Sequence, residues 1–262
     1  MLQHPSIQLN VFLKLLKRDL TVFFKNSLDN YINTLCWVLL SLLIYQFIMP
    51  KMGWIYKGEF LLVSCVISKA FFGVMDNVTN LVADLDSNKT ITYDMTLPLS
   101  HTLLFIKIAL SNAIYTCLLS FFVLPAGKLL LWNYLHFPHF NIYKFIIILF
   151  VSSIFSGFFS LYIIGTTKSI LNIEDVWSGL LFPLFYLGGF VFTWKIMYEA
   201  SPFMACLNLL NPVMYMFEGM RSATLDPALS IPFWISVFML ILFSIPAGCI
   251  GIHLLKKRLD AI

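Results

Sequence analysis

Six stretches of about twenty mostly apolar residues follow one another along the chain, each long enough to cross a hydrocarbon layer roughly 30 Å thick as a helix. A stretch such as FIIILFVSSIFSGFFSLYIIG, residues 145–165, is apolar on every side. A membrane β-barrel would instead show short segments of alternating polarity. The pattern predicts an all-α integral membrane protein with six transmembrane helices, at residues 31–50, 59–82, 101–126, 143–165, 177–196 and 231–254.

The segment before the first predicted span has the pattern of an amphipathic helix. Apolar residues recur there at helical spacing, at Leu9, Phe12, Leu16, Leu20 and Phe23. Polar and basic residues collect on the other side, at Lys14, Lys17, Arg18, Thr21 and Lys25. We expect a helix within residues 1–30 that lies in the membrane interface. An interpretation as a simple lead-in to the first span is compatible with it.

The distribution of Lys and Arg predicts the orientation of the spans. Basic residues precede the first span and follow the last, whereas no loop on the opposite side has more than two. The positive-inside rule then places both termini in the cytoplasm. We expect one transmembrane domain over residues 1–262, in which a six-span bundle, 31–254, is followed by a cytoplasmic tail, 255–262. Two short loops, residues 84–100 and 166–176, would face the cytoplasm.

Composition and motifs narrow the chemistry. The chain is 60% hydrophobic and 11% charged, with a mean hydropathy of +0.86, which is far above that of a water-soluble domain. It contains no GxxxxGK[ST] phosphate loop, no GxSxG and no HExxH motif. His136 and His139 are separated by a proline, which removes helical metal-ligand geometry, and the cysteines lack CxxC spacing. We expect no catalytic residue, cofactor or metal site in this chain, and no nucleic-acid partner.

Two ionisable residues lie inside the second predicted span. Lys69 and Asp76 are seven residues apart, on one helix face and separated by about 10 Å along the axis. That distance is too long for a direct ion pair unless the lysine bends along the helix. Both a packing or snorkelling role and a proton or substrate relay are compatible with this intramembrane polar pair.

The segment between the fifth and sixth spans is interrupted by prolines. It predicts two short helices, at residues 203–210 and 213–225, which are too short to span and must dip into the membrane or lie at its outer surface. Asn211 is expected to cap the second helix, with Pro212 at its first position. Glu218 and Arg221 then lie at i, i+3 and can pair. A helical lid with a surface ion pair would also explain both charges.

These features together resemble the membrane subunit of an ABC type-2 exporter. The resemblance rests on the amphipathic N-terminal helix, the six spans, TLPLS before HTLLFIKIAL, and LLNPVMYMFEGMRSATL after the fifth span. Its most specific part is an LNP(x)nEGxR pattern, which Asn211, Pro212, Glu218 and Arg221 match. The spacing is closest to the half-size permeases of drug, lipid and lipo-oligosaccharide exporters. The arginine-rich N-terminal signature of capsule and O-antigen permeases is not evident, which argues against a long polysaccharide substrate.

The resemblance implies a complete transporter of two permease copies, expected to be a homodimer, and two separate ATPase subunits that bind ATP and Mg. It implies a coupling helix within residues 84–96, a connector helix at 7–25 and outer re-entrant helices at 203–225. We expect the exposed acids Asp84, Asp86 and Asp94 to contact the ATPase. The segment with Glu218 and Arg221 would form an outer gate that seals the exit.

The sequence thus favours a permease for an amphiphile in contact with membrane lipid, in the inner membrane of a bacterium. Substrate, direction of transport and envelope type are left open. One alternative is a membrane enzyme acting on lipid head groups, which would need His, Asp or Glu clustered at one membrane face. A non-catalytic membrane scaffold of the same fold is the other.

Overall fold

A computed structural model of the chain describes residues 5–25, 27–53, 58–86, 90–167 and 169–259, and within these ranges the regular structure is helical throughout. Six of the helical segments are long and apolar enough to cross a membrane. They are Leu28–Met52, Gly58–Leu85, His101–Leu130, Ile142–Thr166, Ile170–Leu187 and Phe233–Leu259. The prediction of an all-α membrane protein with six spans is confirmed.

Among the described residues, the N-terminal half of the chain contains five long helices and one short one. They are α1 (Pro5–Lys25), α2 (Ser27–Leu43), α3 (Gly58–Asp86), α4 (Thr90–Met95), α5 (His101–Leu130) and α6 (Ile142–Thr166). The helix predicted at residues 7–25 is therefore present as α1, and its Leu15 and Phe23 are buried against the bundle. A π-helical turn, Ile44–Ile48, and a 3-10 turn, Met49–Met52, extend α2.

The C-terminal half is more broken. It contains α7 (Ile173–Val176), α8 (Phe182–Leu187), α9 (Trp194–Ala200), α10 (Pro202–Asn208), α11 (Pro212–Thr224) and α12 (Phe233–Leu259). A π-helical turn, Trp177–Leu181, joins α7 to α8, so that these elements form the fifth span. Both short helices predicted after that span are present, as α10 and α11.

One predicted boundary in this half is wrong. The fifth span ends at Leu187 rather than at residue 196, because the chain turns at Gly188 and Gly189, and Gly189 has a φ of 91° that favours glycine. Thr193 then caps an additional helix, α9, through its side chain. At the C-terminal end, α12 continues to Leu259, so residues 255–259 of the predicted cytoplasmic tail are helical.

The core of the bundle is built around α3 and α6, whose most apolar stretches are 78% and 61% buried within the chain. Glycines allow the closest approaches to α6. A Cβ on Gly157 would lie 2.3 Å from the backbone oxygen of Ala109 in α5, and one on Gly251 would lie 2.6 Å from the backbone nitrogen of Tyr162. Small residues at such contacts let helix backbones pack closely in a membrane. The core therefore provides a rigid frame for the charged residues at its two ends.

Contacts between the helices define those two ends. The α1 end contains Asp19, which pairs with Lys107 of α5 at 2.6 Å, and Arg258 of α12, which donates to the backbone oxygen of Ile164 at 2.9 Å. At the α11 end, the backbone nitrogen of Asn141 donates to the backbone oxygen of Ala223 at 2.9 Å. Helices α1 and the end of α12 thus lie at one end of the bundle, as an even number of spans requires.

Candidate functional site

Four charged side chains meet at the α1 end and form what we call the α1–α4 cluster: Arg18, Asp19, Asp94 and Lys107. The Arg18 guanidinium binds Asp94 in a bidentate manner, with Nη1–Oδ1 and Nη2–Oδ2 distances of 3.0 and 2.7 Å. Lys107 Nζ lies 2.6 Å from Asp19 Oδ2 and 3.8 Å from Asp94 Oδ2. Two acids and two bases balance one another, which is the condition under which charges are tolerated inside a fold.

The cluster connects three separate elements. Arg18 and Asp19 belong to α1, Asp94 to the short helix α4 and Lys107 to α5. Asp94 is 4% exposed and Lys107 is 2% exposed, so solvent screens their contact weakly. The hydrogen bonds to Asp94 raise the pKa of the Arg18 guanidinium above its usual value, so this cation stays charged. The position of α4 is therefore coupled to both α1 and α5 by ionic hydrogen bonds.

The start of α4 is held by one of the predicted acids. Asp84, in the last turn of α3, accepts hydrogen bonds from the backbone nitrogens of Thr90 and Ile91 at 3.1 and 3.0 Å. These nitrogens belong to the first turn of α4, which has no intrahelical partners for them. Asp84 therefore acts as a cap that sets where α4 begins. The side chain of Asp86 lies outside the described residues.

Asp94 is not the exposed acid that the sequence analysis expected. Its carboxylate turns inward to Arg18 and Lys107, because the short helix α4 packs against α3 and α5 and this places Asp94 beside α1. Tyr93, next to it, has a 65% exposed side chain and is the large apolar group that α4 presents outward. The exposed face of α4 thus presents the aromatic side chain of Tyr93, and the carboxylate of Asp94 is not part of it.

Lys107 is a member of the cluster that was not predicted from the sequence. A lysine within HTLLFIKIAL, an apolar stretch, is an ionisable group at membrane depth and should have been singled out as Lys69 and Asp76 were. Its acids are 88 and 13 residues away along the chain, and the nearer of them is in another helix. The sequence therefore indicates only that a lysine lies in an apolar stretch. No neighbouring residue identifies the acids with which it pairs.

Lys69 and Asp76 lie closer together than their helical spacing suggested. Lys69 Nζ is 3.8 Å from Asp76 Oδ2, because the lysine side chain bends along α3 towards the acid. The Asp76 side chain is 49% exposed, and the Lys69 side chain is 19% exposed. The predicted separation is a distance along the helix axis between the two positions. The bend of the lysine side chain brings Nζ within ion-pair distance of the carboxylate.

The second group of buried charges, at the α11 end, consists of Glu218 and Arg221. Their i, i+3 pairing was predicted and is observed, with Arg221 Nη1 3.1 Å from Glu218 Oε1. Both are buried, at 0% and 1% exposure, which excludes an exposed surface pair. The two residues lie within the fold of one chain, between α3, the loop after the fifth span and α12.

Arg221 binds the backbone that follows the end of the fifth span. Its guanidinium donates to the backbone oxygens of Gly189, Phe190 and Phe192 and to Ser64 Oγ, and it stacks over the Phe60 ring with 4.0 Å between Cζ and the ring centroid. Backbone oxygens after a helix end lack partners within the helix, and a cation there also opposes the helix dipole. The arginine therefore stabilises the Gly188–Gly189 turn.

Glu218 holds the segments that enter and leave this region. Its Oε1 accepts a hydrogen bond from the backbone nitrogen of Trp194, at the start of α9, and its Oε2 accepts one from that of Ile231, just before α12. Asn211 caps α11 as predicted, since its Oδ1 accepts from the Val213 nitrogen at 3.0 Å, and Pro212 is at the first position. The Asn211 amide also donates to the backbone oxygen of Leu184 in α8.

Comparison with known families agrees with this architecture. The family model described as ABC-2 type transporter matches residues 10–225, which extend from within α1 to just past the end of α11. No curated protein sequence matches the chain. Within the described part of the chain, no group of three or more His, Cys, Asp or Glu could hold a metal ion. The chain therefore belongs to the ABC-2 type transporter family and is the membrane-spanning permease subunit of an ABC transporter.

Proposed function

We propose that the chain forms a homodimer, binds two copies of a separate ATPase subunit through α4, and exports an amphiphile with the energy of ATP hydrolysis. The observation that carries this proposal is the α1–α4 cluster. ATP and Mg are bound by the ATPase, since this chain has no phosphate loop. Direct contacts from Asp84, Asp86 and Asp94 were predicted from the sequence, whereas the geometry favours Tyr93 as the contact and gives Asp84 and Asp94 positioning roles.

The short helix α4 has the properties of a coupling element. Its six residues are about 9 Å long, too few to be stable as an isolated helix. Asp84 fixes its first turn, and Asp94 fixes its last turn to Arg18. A displacement of α4 by a partner would therefore move α1 and the start of α5 as one unit, and rigid spans transmit such motions across a membrane.

The orientation follows from the charges at the α1 end. Basic residues of α1 and of the last turn of α12 lie there: Lys14, Lys17, Arg18, Lys25, Lys256, Lys257 and Arg258. The positive-inside rule makes this the cytoplasmic side, where an ATPase subunit is available. The membrane would be the cytoplasmic membrane of a bacterium, with α9 to α11 at its outer surface.

The path for the amphiphile is proposed to run between the two permease copies. The first and fifth spans are the least buried within the chain, at 17% and 11% of their most apolar stretches, so a second copy and lipid can both cover them. The outer segment with Asn211, Pro212, Glu218 and Arg221 would seal the exit at rest. In that role the buried ion pair would hold the outer segment in its sealed conformation. A solvent-exposed pair would hold it only weakly.

The test is assembly and transport in a defined system. The chain would be co-expressed with a candidate ATPase subunit from the same genome, purified through a tag on the chain, and reconstituted into liposomes that contain a fluorescent amphiphile. We expect a stable complex and ATP-dependent movement of the probe, both absent when either subunit is omitted. Robust ATP hydrolysis by this chain alone, or a failure of the two proteins to associate, would contradict the proposal.

A further inference from the structure

A polar cavity of about 310 Å³ lies at the α1 end, where α1 and the start of α2 meet α3 and α5. Its lining includes the polar residues Asp19, Asp76, Ser111, Asn112 and Tyr115, together with the apolar Phe23. Amide, hydroxyl and carboxyl groups outnumber the apolar ones, although three of the four surrounding helices belong to segments apolar enough to cross a membrane. Such polar groups are costly beside hydrocarbon and are expected to face a polar occupant.

The charge of this lining is negative. Asp19 and Asp76 both face the cavity, and no basic residue is among the described residues that line it. The Asp19 carboxylate is already paired with two cations: Lys107 Nζ lies 2.6 Å from its Oδ2 and Arg18 Nε lies 3.1 Å from its Oδ1. The Asp76 carboxylate has the weaker contact, 3.8 Å from Lys69, and is half exposed. A cation that enters the cavity would thus find its best partner at Asp76.

One lining residue lacks a hydrogen-bond acceptor. Asn112 is 6% exposed, and its side-chain nitrogen has no partner in the chain. A buried amide donor without a partner is destabilising, so the site is complete only when an occupant offers an oxygen. Ser111, the next residue, donates instead to Asp19 at 3.3 Å. The cavity therefore presents a carboxylate and an amide donor to the same occupant.

Aromatic rings form part of the wall. Phe23 of α1 and Tyr115 of α5 pack edge to face, with ring centroids 4.5 Å apart. Aromatic faces attract ammonium groups and exclude water from one side of them. The cavity is at the small end of the range for ligand sites, so it suits a head group rather than a whole amphiphile.

We propose that this cavity binds the ammonium group of an amphiphile whose head group also has an oxygen close to the nitrogen. Asp76 binds the ammonium, and Asn112 donates to the oxygen. The occupant is either a resident membrane lipid with an ethanolamine head group or a free amphiphilic amine, which share this chemistry. The binding does not require that the occupant be the molecule that is transported, and it is measurable without ATP.

The experiment is a binding titration of the purified full-length chain in detergent, followed by native mass spectrometry. The probes are phosphatidylethanolamine, phosphatidylglycerol with the same acyl chains, and 2-amino-1-dodecanol, an amphiphilic amine with a hydroxyl oxygen beside its nitrogen. The variants are Asp76→Asn and Asn112→Leu, which keep the side-chain volume close to that of the native residue. Glu199→Gln, on exposed α9 at the other end, is the matched control because it removes a carboxylate outside the cavity. Melting temperatures are measured for all variants to compare their folding.

We expect at least one ammonium probe to bind in preference to phosphatidylglycerol, and Asp76→Asn to weaken that binding by about tenfold. Asn112→Leu should weaken it as well, whereas Glu199→Gln should leave it unchanged. The probe that shows this dependence identifies the source as a lipid or a free amine. Equal binding of all three probes, or ammonium binding that survives both Asp76→Asn and Asn112→Leu, would show a water-filled cavity only and overturn the proposal. Because Asn112→Leu retains the Lys69–Asp76 pair, a folding defect of Asp76→Asn does not hide the result.

Discussion

Arg18 of α1 and Asp94 of α4, 76 residues apart in sequence, form a bidentate ion pair with distances of 3.0 and 2.7 Å. Its carboxylate side is buried, whereas the Arg18 side chain is 44% exposed. The pair is the direct connection between the amphipathic helix and the short helix that we propose as the ATPase contact. The free energy of this ion pair therefore determines whether α4 can be displaced independently of α1.

Replacement of Asp94 by alanine should destabilise the protein. The change leaves Arg18 without its main partner and removes the second acid near Lys107, which should lower the free energy of unfolding by about 2 kcal/mol. Asp29→Ala, at an exposed acid in the first turn of α2, is the control and should cost less than about 1 kcal/mol. Thermal unfolding in detergent measures both. Equal melting temperatures for the two variants would show that the α1–α4 cluster does not stabilise α4.

The buried pair at the α11 end should behave differently in single and double variants. Glu218→Ala leaves the buried Arg221 guanidinium without a counter-charge and should cost about 3–5 kcal/mol. Glu218→Ala combined with Arg221→Ala should be less destabilised than the sum of the two single variants, because the uncompensated charge is gone. The free energy of unfolding and the transport rate of the assembled complex are the measurements.

The control for that comparison is Glu199→Ala, an exposed acid of α9, which should change stability by less than about 0.5 kcal/mol. Additive, near-neutral effects of Glu218→Ala and Arg221→Ala would mean that the pair is dispensable. Large stability losses with unaltered transport would assign the pair to folding and remove it from the proposed gate.

The orientation of the bundle can be measured by labelling. We expect single cysteines at Lys14 and Lys257, introduced into a variant without native cysteines, to react with a membrane-impermeant maleimide only from the cytoplasmic side. A cysteine at Asn133, in the exposed turn after α5, should react only from outside. Labelling of Lys257→Cys from outside would contradict the orientation and the assignment of the α1 end to the ATPase side.

Local sequence signals predicted much of the fold. The apolar stretches gave the six spans because span length and hydropathy do not depend on tertiary contacts. Asn211, Pro212 and the i, i+3 pair of Glu218 and Arg221 were predictable for the same reason, since caps and helix-face pairs are set within one turn. Their burial was not, because it depends on how α11 packs against α3 and α12.

Other features depended on contacts between distant residues. Asp94 is an acid in a polar loop by sequence, and only the position of Arg18 and Lys107 makes it buried. The end of the fifth span at Leu187 follows from the left-handed turn at Gly189, which Arg221 stabilises from another helix. The bend of Lys69 towards Asp76 is a rotamer choice that helical spacing leaves open.

The central claim, that α4 is the contact for the ATPase, is tested most directly by the affinity of the purified chain for its ATPase subunit. Wild type, Tyr93→Ala and Tyr143→Ala would be compared in nanodiscs, because Tyr143 is similarly exposed, at 77% against 65%, but lies at the α11 end. We predict that Tyr93→Ala weakens binding by tenfold or more, about 1.4 kcal/mol, while Tyr143→Ala binds as wild type. Unchanged affinity of Tyr93→Ala, or an equal loss in Tyr143→Ala, would contradict the account.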